Sequence, residues 1–132
     1  MKDRSNTTPL RGLGLDLVPI DTIMLALRRD ANAACAWLTP TEIDTLGTRA
    51  ESVETLAGRI AAKEAVVKSL GCGFDDEVAW QDITILADEY GAPRVRLTGG
   101  AAAAAKRIGV RCVLVTITHA GDYAAAAACA MA

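Results

Sequence analysis

Two carboxylates on separate elements and a cluster of cations are the residues of this chain whose types and spacing can do chemistry. In Arg59-Ile60-Ala61-Ala62-Lys63-Glu64-Ala65-Val66-Val67-Lys68, helical geometry puts Glu64 and Lys68 on one face, four residues apart, and Arg59 and Lys63 on another. A lone acid, Asp16, stands in Gly12-Leu13-Gly14-Leu15-Asp16. Two carboxylates and a lysine form a minimal set for a hard divalent cation and a polyphosphate. Spacing alone favours surface ion pairs on a solvated helix. The elements that carry these residues have to decide between the two.

Gly12 to Val18 alternates and reads as a strand. Leu13, Leu15 and Leu17 share one face, expected to be core. Gly12, Gly14 and Asp16 share the other, where bare backbone admits either a ligand or a closely packed helix. Pro19 opens a helix with an apolar stripe of Ile20, Ile23, Met24 and Leu27. Arg28 and Arg29 end it, as dipole partners or as a basic patch for an acidic partner. Thr39-Pro40-Thr41-Glu42 is a capping box with proline at the first helical position. Thr48-Arg49-Ala50-Glu51 offers a second box, so the long helix is expected from about there to Leu70, closed by Gly71-Cys72-Gly73.

An acidic loop follows from Phe74 to Trp80. Asp82 to Leu86 and Arg94 to Leu97 read as a hairpin with outward, solvated arginines. Ala101 to Ile108 is a short helix and Arg111 to Thr118 a β-branched strand. His119 to Tyr123 reads as a turn. Alanine propensity argues for helix over Ala124 to Ala132. A short turn after a strong strand argues for a returning strand, which is the expectation taken here.

The length of 132 residues fits one domain, expected over residues 10–132 behind a flexible tail at 1–9. Only five residues are aromatic and much of the apolar fraction is alanine, so the core is thin and self-association would cover more surface. A net charge of −2 without a basic stripe argues against nucleic-acid binding. No apolar run approaches the ~20 residues of a membrane span. Cys35, Cys72, Cys112 and Cys129 form no C-x-x-C pair, which makes zinc a poor fit. They are expected to be reduced, buried thiols in a cytoplasmic protein.

The ordered set Gly12-Leu13-Gly14-Leu15-Asp16, Leu38-Thr39-Pro40-Thr41-Glu42, Gly58-Arg59-Ile60-Ala61-Ala62-Lys63-Glu64-Ala65 with Lys68, Gly91-Ala92-Pro93 and Thr116-Ile117-Thr118-His119 resembles the holo-acyl-carrier-protein synthases. These are the short, single-domain members of the 4'-phosphopantetheinyl transferases. The resemblance implies an α+β fold, with a small, mainly antiparallel sheet packed on a long helix. It implies Mg2+-dependent transfer of the phosphopantetheine arm of coenzyme A to a serine of an apo acyl carrier protein, in fatty acid or polyketide synthesis, with release of adenosine 3',5'-bisphosphate.

By position, the resemblance makes Asp16 and Glu64 the metal acids and Lys68 the pyrophosphate lysine. Arg59 and His119 become coenzyme A contacts, and Gly71 and Gly73 line the cofactor cleft. It further implies a homotrimer with sites between protomers. Thr22 stands where many members carry a carrier-binding arginine, which leaves that role to Arg28 or Arg29. Ile60 replaces a common phenylalanine, and Ala120 replaces an acid found in some members.

The chemistry would be hydroxyl attack on a pyrophosphate, catalysed by positioning and charge neutralisation. The base is open between a water held by the metal and Glu64 acting through water. Another Mg2+-dependent phosphate enzyme and a non-enzymatic module for an acidic partner are the alternatives. Lys63 has no assigned partner at this level.

Overall fold

The computed structural model describes residues 8–132. The tail expected over residues 1–9 lies, for its first seven positions, outside the described residues. The elements in order are β1 (Leu10–Pro19), α1 (Ile20–Arg29), α2 (Ala34–Trp37), α3 (Pro40–Leu46), α4 (Val53–Ser69), β2 (Ile83–Ala87), β3 (Pro93–Leu97), α5 (Gly99–Arg107), β4 (Cys112–Ala120) and β5 (Tyr123–Met131). β1, β5 and β4 form one antiparallel sheet in that order, and β2 with β3 form a hairpin. The long helix α4 packs across the three-stranded sheet. This is the expected α+β arrangement.

The alanine-rich C-terminal segment is the central strand. Gly121, at φ 57, lets a two-residue turn bring the chain back onto β4. Pairing on both sides then satisfies the β5 backbone, and this outweighs alanine's helix propensity. Ala124, Ala126, Ala128 and Ala130 are buried beneath α4, whose own Ala57, Ala61, Ala62 and Ala65 are buried as well. Small side chains on both partners let helix and sheet approach closely.

The register reverses the expected polarity of β1. Leu13, Leu15 and Leu17 are 66%, 69% and 60% exposed, while Gly14 and Val18 are buried. The reason is the narrow gap under α4. A Cβ on Gly12 would overlap the Ser69 carbonyl, and one on Gly14 the Ala65 carbonyl. Leucine cannot enter such a gap, so the glycine face turns inward and the leucines stand on the far side with Leu114 and Tyr123. Gly14→Ala is expected to destabilise the fold by roughly 2–4 kcal/mol, because the obstacle is helix backbone and not a movable side chain. An unchanged thermal midpoint by circular dichroism would mean that α4 and β1 do not meet this closely.

Other boundaries also move. Residues Gly47–Glu51 form a tight 3-10 turn, so the second capping box does not open the long helix. Ser52 caps α4 instead, accepting from the Thr55 N–H at 3.4 Å. His119 and Ala120 belong to β4, paired with Ala124 and Tyr123, because the turn needs only two residues. Arg94 does more than face solvent, since it pairs with Asp88 at 3.0 Å. The thiols are free but less buried than expected. Cys35 and Cys112 are exposed and Cys72 and Cys129 half-buried, because they sit at element ends or on the open sheet face. Among the described residues no helix is long and apolar enough to cross a membrane.

Candidate active site

Asp16 lies on the inward face of β1, two residues beyond the Gly14 contact with α4. The close approach that the glycines permit therefore brings its carboxylate beside the helix. Lys68 Nζ reaches across from α4 to Asp16 Oδ1 at 3.1 Å and to the Leu15 carbonyl at 3.1 Å. The lysine thus pairs with the strand acid and not with Glu64, its neighbour four residues back. Its side chain is 50% exposed and that of Asp16 is 15% exposed.

Glu64 is half-buried, and its carboxyl holds its proton above the usual glutamate range. Burial is the largest cause, the Asp16 charge adds to it, and Lys68 opposes it. Glu64 stands one turn back from Lys68 on the same face of α4, and Lys68 reaches Asp16, which sets both acids along the helix–strand seam. Among the described residues no three His, Cys, Asp or Glu side chains form a closed metal cage. Two carboxylates at a partly open seam suit an ion that keeps several waters and takes further oxygens from a substrate phosphate. The donor set therefore fits Mg2+.

Arg59 and His119 meet in a second place, a cleft of about 240 Å³ shared with Arg49, Gly58, Pro93 and Ile117. Arg59 is 9% exposed, and burial holds its guanidinium below its ordinary value; Glu42 opposes that shift and Arg49 adds to it. Among the described residues Arg59 makes no ion pair. A desolvated cation beside an exposed histidine and a second arginine has the charge and donors to attract an anion. Sequence reasoning missed Arg49 in this cleft. The Gly91-Ala92-Pro93 block was the available signal, since Gly91 and Pro93 line the same cleft from the hairpin.

The two groups do not meet within one chain. Asp16 sits on edge strand β1 and His119 on the opposite edge strand β4, with β5 between them. Gly71, at φ 74, and Gly73 leave bare backbone in the turn just past Lys68. Arg28 and Arg29 are exposed at the end of α1, apart from both groups of contacts. Lys63, left without a partner by spacing, is buried against Glu42 at 2.6 Å.

Residues 12–128 match the model of the 4'-phosphopantetheinyl transferase superfamily. The chain is 42% identical over 121 residues to a holo-acyl-carrier-protein synthase of Desulforudis audaxviator, spanning 91% of this chain and 92% of that one. The solved holo-acyl-carrier-protein synthase of Neisseria meningitidis superposes with a TM-score of 0.84 at 27% identity, covering 93% of this chain and 99% of that one. The Helicobacter pylori enzyme, solved in complex with coenzyme A, gives a TM-score of 0.77 at 26% identity over 88% of this chain and 96% of that one.

Proposed function

The chain belongs to the 4'-phosphopantetheinyl transferase superfamily, among the holo-acyl-carrier-protein synthases, and from that premise we propose how it acts. It is an enzyme that moves the phosphopantetheine arm of coenzyme A to an acyl carrier protein. In our reading the acceptor is a serine hydroxyl, the product adenosine 3',5'-bisphosphate, and the pathway fatty acid or polyketide synthesis. The observation that carries this reading is the seam where Asp16, Glu64 and Lys68 converge.

Asp16 and Glu64 would hold Mg2+. When bound, the ion would neutralise pyrophosphate charge as the phosphorus–oxygen bond breaks. Lys68, on a flexible half-exposed stem, is placed to leave Asp16 for a pyrophosphate oxygen and stabilise the departing phosphate. Either a water held with the metal or Glu64 acting through a water would take the serine proton. Arg59, with His119, would anchor the phosphorylated ribose, and Gly71 and Gly73 would let the cofactor lie close to backbone.

The separation of these two groups on opposite sheet edges supports a site built between protomers. The uncovered face of Leu13, Leu15, Leu17 and Leu114 supports assembly, in our reading as a homotrimer. Incubating the protein with coenzyme A, Mg2+ and an apo carrier, then weighing the carrier, tests the whole reading. A mass gain equal to the phosphopantetheine arm is expected. No gain on several carriers would overturn it.

Two predictions arise at this point. Arg28 and Arg29 stand exposed at the end of α1, free to meet the acidic surface of a carrier. Reversing both to glutamate is expected to raise KM for the carrier roughly tenfold while leaving coenzyme A affinity intact; equal loss of both would defeat the assignment. The second concerns pH. Cation binding needs the Glu64 carboxylate, and that carboxyl stays protonated to a higher pH than usual. Mg2+ affinity should therefore fall as pH drops through the raised Glu64 value, before an ordinary glutamate would titrate. Fold stability runs the other way for this group: its contribution is present at low pH and is lost as pH rises through the same value. A calorimetric Mg2+ titration at several pH values checks the first trend, and flat affinity down to the ordinary glutamate range would contradict it.

A further inference from the structure

Glu42 and Lys63 are buried charges that the chemistry above does not use, and neither side chain has solvent exposure. Lys63 Nζ donates to Glu42 Oε1 at 2.6 Å, to the Trp37 carbonyl at 2.8 Å and to the Trp80 carbonyl at 3.2 Å. These contacts use all three ammonium protons. Glu42 in turn accepts from the Thr39 N–H at 2.8 Å and the Ile85 N–H at 3.1 Å. One pair thus ties α4 to the end of α2, the start of α3, the turn before β2, and β2 itself.

A buried ion pair adds little net stability over well-packed apolar residues, because desolvation offsets its attraction. Its best-attested use is to specify register where apolar packing leaves the register open. α4 is such a case. An ordinary surface helix sets its rotation by an apolar stripe. From Leu56 to Lys63 every residue of α4 is buried, and four of the buried residues along the helix are alanines, which are alike in shape. Slipping by one residue would rotate the helix by about 100°. That would carry Glu64 and Lys68 away from Asp16, and Arg59 away from its cleft. Lys63 precedes Glu64 and lies one turn past Arg59, so fixing it fixes both.

We propose that the Glu42–Lys63 pair is a positioning device that sets the rotational phase of α4, and so aims Glu64 and Lys68 at Asp16 and Arg59 into its cleft. The cation-binding part of the test rests on the metal reading given above. The E42Q/K63M variant removes both charges. Val113→Ala, a buried truncation on β4 outside this network, serves as a control for plain destabilisation. Both are compared with wild type by electron paramagnetic resonance titration with Mn2+, at temperatures where circular dichroism shows each fully folded.

E42Q/K63M is expected to raise the Mn2+ Kd by about tenfold or more, as loss of groups that orient metal ligands does, while V113A stays near wild type. If the double variant does not fold, Glu42→Gln alone is measured in the same way, with the same direction expected. Wild-type Mn2+ affinity in a folded pair variant would overturn the proposal, and so would equal weakening in V113A. The crystal structure of the pair variant gives a readout independent of metal. An α4 turned so that Lys68 no longer reaches Asp16 and the Leu15 carbonyl supports the proposal, and unchanged contacts overturn it. Wild-type protein that binds no Mn2+ would defeat the metal reading alone, leaving the crystal structure to decide the phase.

Discussion

Replacing Asp16 by alanine is expected to remove the Mg2+ response of phosphopantetheine transfer and to lower kcat/KM by roughly 10²–10³-fold. The change deletes one of two carboxylates at the helix–strand seam and leaves Lys68 without its partner. Folding should survive, because the lysine is half exposed and an ion pair of that kind contributes little to stability. The loss is therefore chemical and not structural, and a native circular dichroism spectrum beside a flat Mg2+ titration would show it. Glu64→Ala should behave alike, with one difference. Removing Glu64 leaves the Lys68–Asp16 contact in place, so residual activity there measures what Asp16 contributes with a single carboxylate. Either variant retaining full, Mg2+-stimulated activity would mean that the cation binds elsewhere.

The second large effect is expected from the uncovered sheet face. Leu15 is 69% exposed between Leu13 and Leu17 on β1, an apolar stripe left uncovered among the described residues. Leu15→Glu places a charge in the middle of that stripe. If protomers meet there, burial of an unpaired carboxylate blocks assembly. Analytical ultracentrifugation should then report monomers, and transfer activity should collapse although Asp16, Glu64 and Lys68 are untouched. A mixing experiment separates a shared site from plain instability. Asp16→Ala and Arg59→Ala proteins are each expected to be inactive. Co-refolded in equal amounts, they should recover up to about a quarter of wild-type activity, because some interfaces then combine an intact Asp16 with an intact Arg59. An inactive mixture together with an active monomeric Leu15→Glu variant would place the complete site within one chain.

Asp16, Glu64 and Lys68 could be singled out from the sequence because carboxylates and a lysine are residue types suited to a hard cation and a polyphosphate, and because a helical period puts two of them on one face. That Lys68 contacts Asp16 and not Glu64 was not readable, since nothing local ranks a helix neighbour against a residue 52 positions away. Arg49 was missed in the cleft of Arg59 and His119 for the same reason. It belongs to a 3-10 turn that only folding brings beside His119. Lys63 is the sharpest case. Spacing left it without a partner, because its three acceptors come from three separate elements.

Taken by itself, the sequence determined the kinds of elements and most of their marks: the Thr39 capping box, the proline-started helices, the β2–β3 hairpin, the returning C-terminal strand. These depend on local backbone chemistry and on side-chain period, which act within a few residues. It also determined which residues share a face. The tertiary structure alone decided which face found a partner. On β1 the alternation was right and its direction was not, because the inward side was chosen by how closely α4 could approach Gly12 and Gly14. That choice turned the leucines outward and brought Asp16 to the helix. Period is a property of the chain, whereas orientation depends on the gap left by an element many residues away.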